Sequence, residues 1–226
     1  MAFNKDVFKT RSLTAVVFVM VMMAGLLVNE YTFVGLFSII MFGCLYEFSK
    51  IIKIIEPRKY LLYLPFAFVY IIFPILLLID LGENPKYLPA GYSPIFPCAI
   101  IFSIWINDTM AYLVGSFIGK TPFSKISPKK TWEGTIGGVV LSMATIAILG
   151  KSLTIAHILD WKAWMILAGI CGLFGTFGDL IESKFKRMAN IKDSGRIMPG
   201  HGGFLDRFDS LLLATPFVWV YIKIIL

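Results

Sequence analysis

The chain alternates long apolar runs with short polar segments. Seven runs are candidates for membrane-spanning segments, at residues 12–28, 31–48, 60–80, 94–118, 134–150, 163–180 and 208–225. A helix needs about 20 consecutive apolar residues to cross the hydrocarbon core of a bilayer, whereas the strands of a membrane barrel alternate polar and apolar positions. The continuous runs therefore predict an all-α fold, a polytopic integral membrane bundle of about seven transmembrane helices.

The composition agrees with a membrane protein. Hydrophobic residues make up 58% of the chain and charged residues only 15%, which excludes an ordinary soluble domain and a disordered chain. The connections between the runs are short, so we expect residues 1–226 to form a single membrane domain with its N-terminal spans in residues 12–80. No small-residue cleavage site follows the first run, and we interpret this run as a retained span rather than a signal peptide.

The positive charges favour one side of the predicted bundle. If the N-terminus lies in the cytoplasm, 17 of the 21 Lys and Arg residues fall in cytoplasmic segments, as the positive-inside rule requires. The net charge of +7 is then a property of the cytoplasmic face, which suits anionic lipid and polyanionic small substrates. Most multi-span proteins show this bias, so it does not by itself indicate a function.

One carboxylate, Asp108, lies inside the fourth run. A charge at the bilayer centre costs roughly 2.5–3.5 kcal/mol, so such residues usually face a wet or protein-lined interior. Tyr112, Gly115 and Gly119 follow Asp108 on the same helical face, which is small and polar. We interpret this face as the wall of a functional cavity. The alternative is a packing acid that is hydrogen-bonded to a neighbouring helix.

Two lysines, Lys129 and Lys130, precede the fifth run, which carries Gly134 and Gly138. The two glycines form a small-xxx-small pair and predict close contact with a neighbouring helix. The lysines either contribute to an anion site or anchor the span in the lipid headgroups, and their spacing does not decide between these functions.

The most polar stretch of the chain, residues 183–209, lies between the sixth and seventh runs. Asp206 and Asp209 are three residues apart and therefore project from one side of the first turn of the seventh helix. Asp179, at the end of the sixth helix, shares a face with Gly172 and Gly175. The three acids are candidates for a divalent cation site, since Mg²⁺ takes one or two carboxylates and leaves other positions to water and phosphates. The alternative for Asp206 and Asp209 is an N-cap arrangement favoured by the helix dipole.

Basic residues and glycines complete this stretch. Lys and Arg side chains bind phosphates, while Gly202 and Gly203 permit positive φ and close approach of the backbone to a ligand. His201 either acts on a phosphate or orients the loop. Together these features indicate phosphoryl or nucleotidyl transfer at a membrane surface.

The same stretch closely resembles the signature of the phosphatidate cytidylyltransferases, also called CDP-diacylglycerol synthases. The matching residues are Ser183, Phe185, Lys186, Arg187, Lys192, Asp193, Gly195, Pro199, His201, Gly202, Gly203, Asp206, Arg207 and Asp209. Met198 departs conservatively from the signature, where Leu, Ile or Phe is usual. Upstream, the matching residues are Asp108, Ala111, Tyr112, Gly115, Gly119, Lys120 and 127–134, so that the resemblance covers about half of the chain.

The resemblance implies an activity in phospholipid biosynthesis, in which CTP and phosphatidic acid give CDP-diacylglycerol and pyrophosphate. It implies a catalytic half at about residues 94–226 and Mg²⁺ bound by Asp179 and Asp206, with a second cation such as K⁺ nearby. The expected catalytic residues are Asp179, Asp206, Lys186, Arg187 and His201. The expected substrate-binding residues are Lys129, Lys130, Ser183, Lys192, Asp193, Gly202, Gly203, Arg207, Asp209 and Asp108.

The resemblance also implies a location. We expect an integral protein of a bacterial-type inner (plasma) membrane, with its active site on the cytoplasmic side, membrane lipid as a partner and no nucleic acid. The chain is shorter than we expect of bacterial members of that family, which predicts one or two fewer N-terminal helices. The sequence leaves the oligomeric state open, with a homodimer as one candidate.

Two other functions stay open at this point. A CTP-dependent polyprenol kinase would share the nucleotide and the membrane, but it would transfer the γ-phosphate. An ion-coupled transporter would also bury Asp108 among glycine-rich helices, but it would not need a long charged segment with paired acids.

Overall fold

The computed structural model describes residues 5–84, 86, 91–197 and 202–226, with side chains from residue 12 onward. In these ranges the fold is all-α, as predicted. The α-helices are α1 (Lys5–Leu27), α2 (Glu30–Ile55), α3 (Tyr60–Ala67), α4 (Phe73–Glu83), α5 (Ile95–Ile118), α6 (Trp132–Ser152), α7 (Trp161–Met188) and α8 (Leu205–Val220). A π-helical segment, Phe68–Ile72, joins α3 to α4, and another, Tyr221–Ile225, continues α8.

Six helical segments are long and apolar enough to cross a membrane, so the protein is a polytopic membrane protein. They are Glu30–Ile55, Tyr60–Glu83, Ile95–Ile118, Trp132–Ser152, Trp161–Met188 and Leu205–Ile225. The first predicted span is also helical, but its described apolar part, Ser12–Leu27, is shorter than the other six. Within the described residues the structure therefore gives six full spans and one further helix, α1, of which Ser12–Leu27 is apolar, in agreement with the prediction of about seven transmembrane helices.

The largest difference from the predicted boundaries is in α7, which continues eight residues past position 180, to Met188. No glycine or proline occurs in residues 180–189, and the helix ends where Asn190 adopts a left-handed φ of 55°, a common way to terminate a helix. Ser183, Lys186 and Arg187 therefore lie on helical turns and not in a loop. The true connection between α7 and α8 is residues 189–204.

Glycines bring α5 and α6 into close contact. A Cβ atom built on Gly134 would lie 2.7 Å from the carbonyl oxygen of Ala111, and one on Gly138 would lie 2.8 Å from the carbonyl oxygen of Asn107. Small residues at such crossings let two backbones approach closely in a bilayer. The close contact predicted from the glycine pair is thus confirmed, with α5 as the neighbour.

Aromatic packing fixes the end of α7 against the N-terminal helices. The ring of Phe185 lies 5.7 Å from that of Phe48 on α2 and 6.0 Å from that of Tyr70, in edge-to-face arrangements. Such pairs add about 0.5–1.5 kcal/mol to the burial of the rings themselves. The polar end of α7 is therefore held by an apolar contact on its opposite face.

Glu47 on α2 connects the N-terminal helices to the start of α8. Its side chain is buried, and its carboxylate accepts hydrogen bonds from the N–H groups of Phe204 (3.0 Å) and Leu205 (2.9 Å). It also accepts one from Ser194 Oγ (2.7 Å) in the connection. The first N–H groups of a helix have no partner within it and carry partial positive charge. Glu47 thus serves α8 both as cap and as counter-charge.

Replacing Gly138 with Ala should loosen the α5–α6 contact, because the added methyl group meets the backbone of α5. We expect a loss of about 1–3 kcal/mol in stability, measured as a lower thermal unfolding midpoint in detergent. Gly35→Ala is the matched control, since a Cβ there meets no atom within 4 Å. Equal midpoints for the two variants would contradict this packing.

Replacing Glu47 with Gln removes the negative charge that three hydrogen-bond donors contact. The new amide N–H₂ group is itself a donor, so it cannot accept a hydrogen bond from the donors that it faces. Because hydrogen bonds to charged groups contribute about 1.5–3 kcal/mol each, we expect a stability loss of at least about 2 kcal/mol. We also expect faster tryptic cleavage after Lys192 and Arg196 in the connection. Glu56→Gln, exposed beyond the end of α2, should leave both quantities unchanged. A cleavage rate equal to that of the wild type would refute the role of Glu47.

Candidate active site

A polar cavity of about 590 Å³ lies among α5, α6, α7 and α8. The carboxylates that line it are those of Asp108, Asp179, Asp206 and Asp209. Lys129 and Lys130 line it from the connection before α6, and neutral polar groups on its wall include Asn107, Thr131, Thr135, Thr176 and Ser210. A cavity with this many charged groups, at the ends of membrane-spanning helices, is suited to a charged ligand.

Asp108 lies on the α5 wall of this cavity together with Tyr112 and Gly115, as the helical spacing predicts. Its carboxylate is exposed to the cavity, and the amide of Asn107 lies 3.4 Å from it. No hydrogen bond to a neighbouring helix is formed by Asp108 within the described ranges. The geometry therefore favours the cavity interpretation over a packing acid.

Asp179, Glu182 and Asp209 form an acidic cluster at the junction of α7 and α8. One ligand oxygen from each lies within 4.8 Å of the others. Glu182 is fully buried; Lys186 is paired with its Oε2, and its Oε1 has no partner among the described residues. Carboxylates held this close and out of water repel one another unless a cation lies between them. The donor set and spacing fit a metal ion.

Asp206 is bound differently. Its Oδ1 accepts a hydrogen bond from Lys186 Nζ (2.6 Å), and its Oδ2 accepts from the N–H groups of Ser194 and Gly203 (both 2.8 Å). Gly202 has a φ of 86°, and a side chain there would meet the Asp206 carboxylate. Asp206 therefore ties the connection to α8, and its service as a metal ligand stays a prediction.

Two lysines partly neutralise the acids. Lys130 forms an ion pair with Asp179, and Lys186 bridges Glu182 and Asp206. Each lysine comes from a different connection or helix end, so the charges meet only in the folded protein. An ammonium group that bridges carboxylates can also release them to a competing cation or turn to a phosphate, which is useful in a site for anionic substrates.

The connection before α6 is tied down at both ends, which holds Lys129 and Lys130 at the cavity. Thr131 Oγ1 accepts the Gly134 N–H (3.1 Å) and caps α6. The carboxylate of Glu133 accepts hydrogen bonds from Thr121 Oγ1 (2.8 Å) and from the Thr121 N–H (3.2 Å). These contacts indicate an ordered loop in which the lysines have a defined place.

The other predicted site residues divide between this cavity and other places. Ser183 Oγ donates to Asp179 Oδ1 (3.3 Å) and belongs to the site. Arg187 is exposed at the end of α7, outside the described lining of the cavity. Arg207 lines a much smaller cavity beside Trp105. His201 lies outside the described residues.

Lys192 and Asp193 line a separate cavity on the other side of the connection. They share no cavity with the acidic cluster, so the structure does not bring them together with Asp179 or Asp209. The binding of substrate by Lys192 and Asp193 stays a prediction.

Sequence reasoning missed Glu47 and Ser194 and gave Glu182 no place in the site. The signal for Glu47 was its charge inside a predicted span, the same signal that singled out Asp108. Ser194 carried no such signal. The sequence shows Glu182 as an acid one helical turn from Asp179, but only its burial in the structure indicates that it belongs to the site.

Comparison with known proteins agrees with this site. The profile of the Cytidylyltransferase family matches residues 90–225, which contain all the cavity-lining residues named above. The phosphatidate cytidylyltransferase of Synechocystis is 42% identical over 148 residues, 63% of this chain and 47% of that protein. That of Bacillus subtilis is 43% identical over 132 residues, 57% of this chain and 47% of that protein.

A plant protein is also similar to this chain. Phosphatidate cytidylyltransferase 4, chloroplastic, of Arabidopsis thaliana is 46% identical over 118 residues, 52% of this chain and 29% of that protein. The chain spans about half the length, or less, of the curated relatives it matches. Since the family profile covers more than half of the sequence and includes the acidic cavity, the chain belongs to the Cytidylyltransferase family.

Proposed function

We propose that this protein is a phosphatidate cytidylyltransferase, which converts CTP and phosphatidic acid to CDP-diacylglycerol and pyrophosphate. The observation that supports it most is the 590 Å³ cavity, in which clustered acids and two lysines lie among membrane-spanning helices. Relatives at 42–46% identity over this region are named for the same reaction. A reaction between a water-soluble and a membrane-bound substrate needs such a cavity at a bilayer surface.

In the proposed reaction the phosphate of phosphatidic acid attacks the α-phosphorus of CTP in line. The new P–O bond forms as the bond to the β-phosphate oxygen breaks, and pyrophosphate leaves. The lipid phosphate is already an anion, so no covalent intermediate with the protein is needed. Lys129 and Lys130 compensate the negative charge of the phosphates, as preorganised cations do in phosphoryl transfer.

The lipid substrate enters from the side of the bundle. Tyr112 lines the cavity and yet is 74% exposed, so the wall that it forms is accessible from the bilayer. Asp108 lies on the same wall and faces the bound substrates from the deeper end.

Mg²⁺ is the cofactor of this proposal. The fit rests on the three acid oxygens within 4.8 Å of one another and on Glu182 Oε1, which is buried and has no partner among the described residues. Asp179, Asp209 and Glu182 would hold the ion, and Asp206, which is paired with Lys186 in this structure, would be a further ligand. A second cation such as K⁺ is part of the same proposal. When bound, the metal polarises phosphate oxygens and offsets their charge.

The proposed setting is a bacterial-type inner membrane with the site on its cytoplasmic side, where CTP is available. The single membrane domain then carries the reaction in its C-terminal half, residues 94–226, and α2 supports it through Glu47. A homodimer is a further proposal, for which the oligomeric mass in detergent is the measurement.

Transfer of cytidine label tests the reaction. Purified protein in detergent with Mg²⁺, phosphatidic acid and CTP labelled in its base should move the label into the lipid phase and release pyrophosphate. Cytidine label that stays in the aqueous phase would contradict the proposal. Release of CDP with phosphorylation of a lipid alcohol would favour the polyprenol kinase, and solute uptake without CTP would favour the transporter.

Asp179→Asn and Asp206→Asn separate the two proposed functions of these acids. Each variant should lower turnover at least about a hundredfold, since several kcal/mol of charge stabilisation are lost and 1.36 kcal/mol corresponds to a factor of ten. Asp179→Asn should also raise the Mg²⁺ concentration needed for half-maximal residual activity. The same shift for Asp206→Asn would make Asp206 a ligand, whereas lower turnover without that shift would make it a positioning residue.

Glu56→Gln is the matched control for these two variants and should keep wild-type turnover. Elution of all variants as wild type on size exclusion shows that they are folded. Near-normal CTP consumption by Asp179→Asn would remove the metal assignment altogether.

A further inference from the structure

A second cavity, of about 930 Å³, lies between the last turns of α2 and the connection that follows α7. Its charged lining residues are Lys50, Lys53, Lys192, Arg196 and Asp193. It shares no lining residue with the 590 Å³ cavity. The connection therefore lines the basic cavity, while its Ser194 and Gly203 also contact Asp206, which lines the other cavity.

The four cations of this basic cavity converge without an acid for each. None of them takes part in an ion pair with another described residue. Lys50 Nζ lies 4.4 Å from the ring centre of Tyr46, and Lys53 Nζ lies 5.7 Å from that of Tyr60. These ring contacts leave the positive charges uncompensated.

Ordinary surface requirements explain only part of this arrangement. A lysine in the last turn of a helix interacts well with the helix dipole, which accounts for Lys53. It does not account for Lys192 and Arg196, which come from another segment and face the lysines of α2. Like charges that converge from two elements repel unless an anion lies between them.

We propose that the basic cavity binds a phosphate-bearing anion, separate from the substrates in the acidic cavity. The anion is the headgroup of an anionic membrane lipid or a soluble phosphate such as diphosphate, since both present the same oxygens to Lys and Arg. Ile54 on the cavity wall is 54% exposed and offers an apolar neighbour to an acyl chain.

Ser194 connects the two cavities. It lines the basic cavity, and its N–H and Oγ both donate to Asp206 Oδ2 at 2.8 Å. Glu47 Oε2 lies 2.7 Å from the same Oγ, so the two carboxylates share the single hydroxyl proton. An anion bound by Lys192 and Arg196 would therefore fix the segment that orients Asp206. The proposal does not rest on the proposed reaction, because binding can be measured without CTP.

The test uses the full chain in nanodiscs and has two arms. In the first, inorganic diphosphate is titrated calorimetrically into protein in phosphatidylcholine nanodiscs, with a chelator present to exclude metal-bridged binding. In the second, nanodiscs of equal phosphatidylcholine and phosphatidylglycerol are used, and the retained phosphatidylglycerol is counted by native mass spectrometry.

The variant is Lys53→Gln with Arg196→Gln, and the control is Arg58→Gln with Lys59→Gln, which removes the same charge from exposed positions outside the cavity. We expect the variant to weaken binding roughly tenfold or more in one arm, given the contribution of each basic group near an anion. The control should bind as the wild type does. The arm that responds identifies the source of the phosphate.

Two results would overturn the proposal. One is the absence of saturable binding in both arms, and the other is an equal loss in the variant and in the control. If the variant does not elute as the wild type does, Lys50→Gln with Lys53→Gln replaces it. That pair leaves the connection unaltered.

Discussion

The buried carboxylate of Glu47 is the interaction on which the site depends. A charge removed from water is strongly unfavourable unless its hydrogen-bonding capacity is met, and three donors from residues 194–205 meet it. None of these donors lies in the same helix as Glu47, so the contact forms only when α2, the connection and α8 are together. Because the buried charge of Glu47 needs these donors, the connection has to pass beside it.

In the acidic cavity, by contrast, the hydrogen-bonding capacity of the carboxylates is not fully met. Its acids outnumber the lysines that reach them, and Glu182 Oε1 has no hydrogen-bond donor among the described residues. Where Glu47 is fully satisfied and serves structure, the acids around Asp179 are satisfied only in part and retain the capacity to bind a cation. If every carboxylate of the cluster were paired with a donor or a lysine, the cluster would be more stable, but no carboxylate oxygen would remain to bind a cation.

Features set by local periodicity could be predicted from the sequence, and features set by long-range contacts could not. Asp108 and the contact of Gly138 follow from spacing along one helix. The partner of Glu47 lies 147 residues away in Ser194, and no pattern near either residue points to the other. Hydropathy placed the end of the sixth apolar run at residue 180, but α7 continues to Met188, because polar residues end a membrane span without ending the helix.

The connection after α7 explains why basic residues that follow one another in sequence serve different cavities. Lys186 is on the helix and points to the acids, whereas Lys192 is on the far face, and Ser194 between them is held by two carboxylates. Because the connection is held in place at Ser194, its two sides can contact two different ligands without a change in its conformation. The charged residues within 183–209 therefore lie at two cavities, which are connected through the contacts of Ser194 with the Asp206 carboxylate.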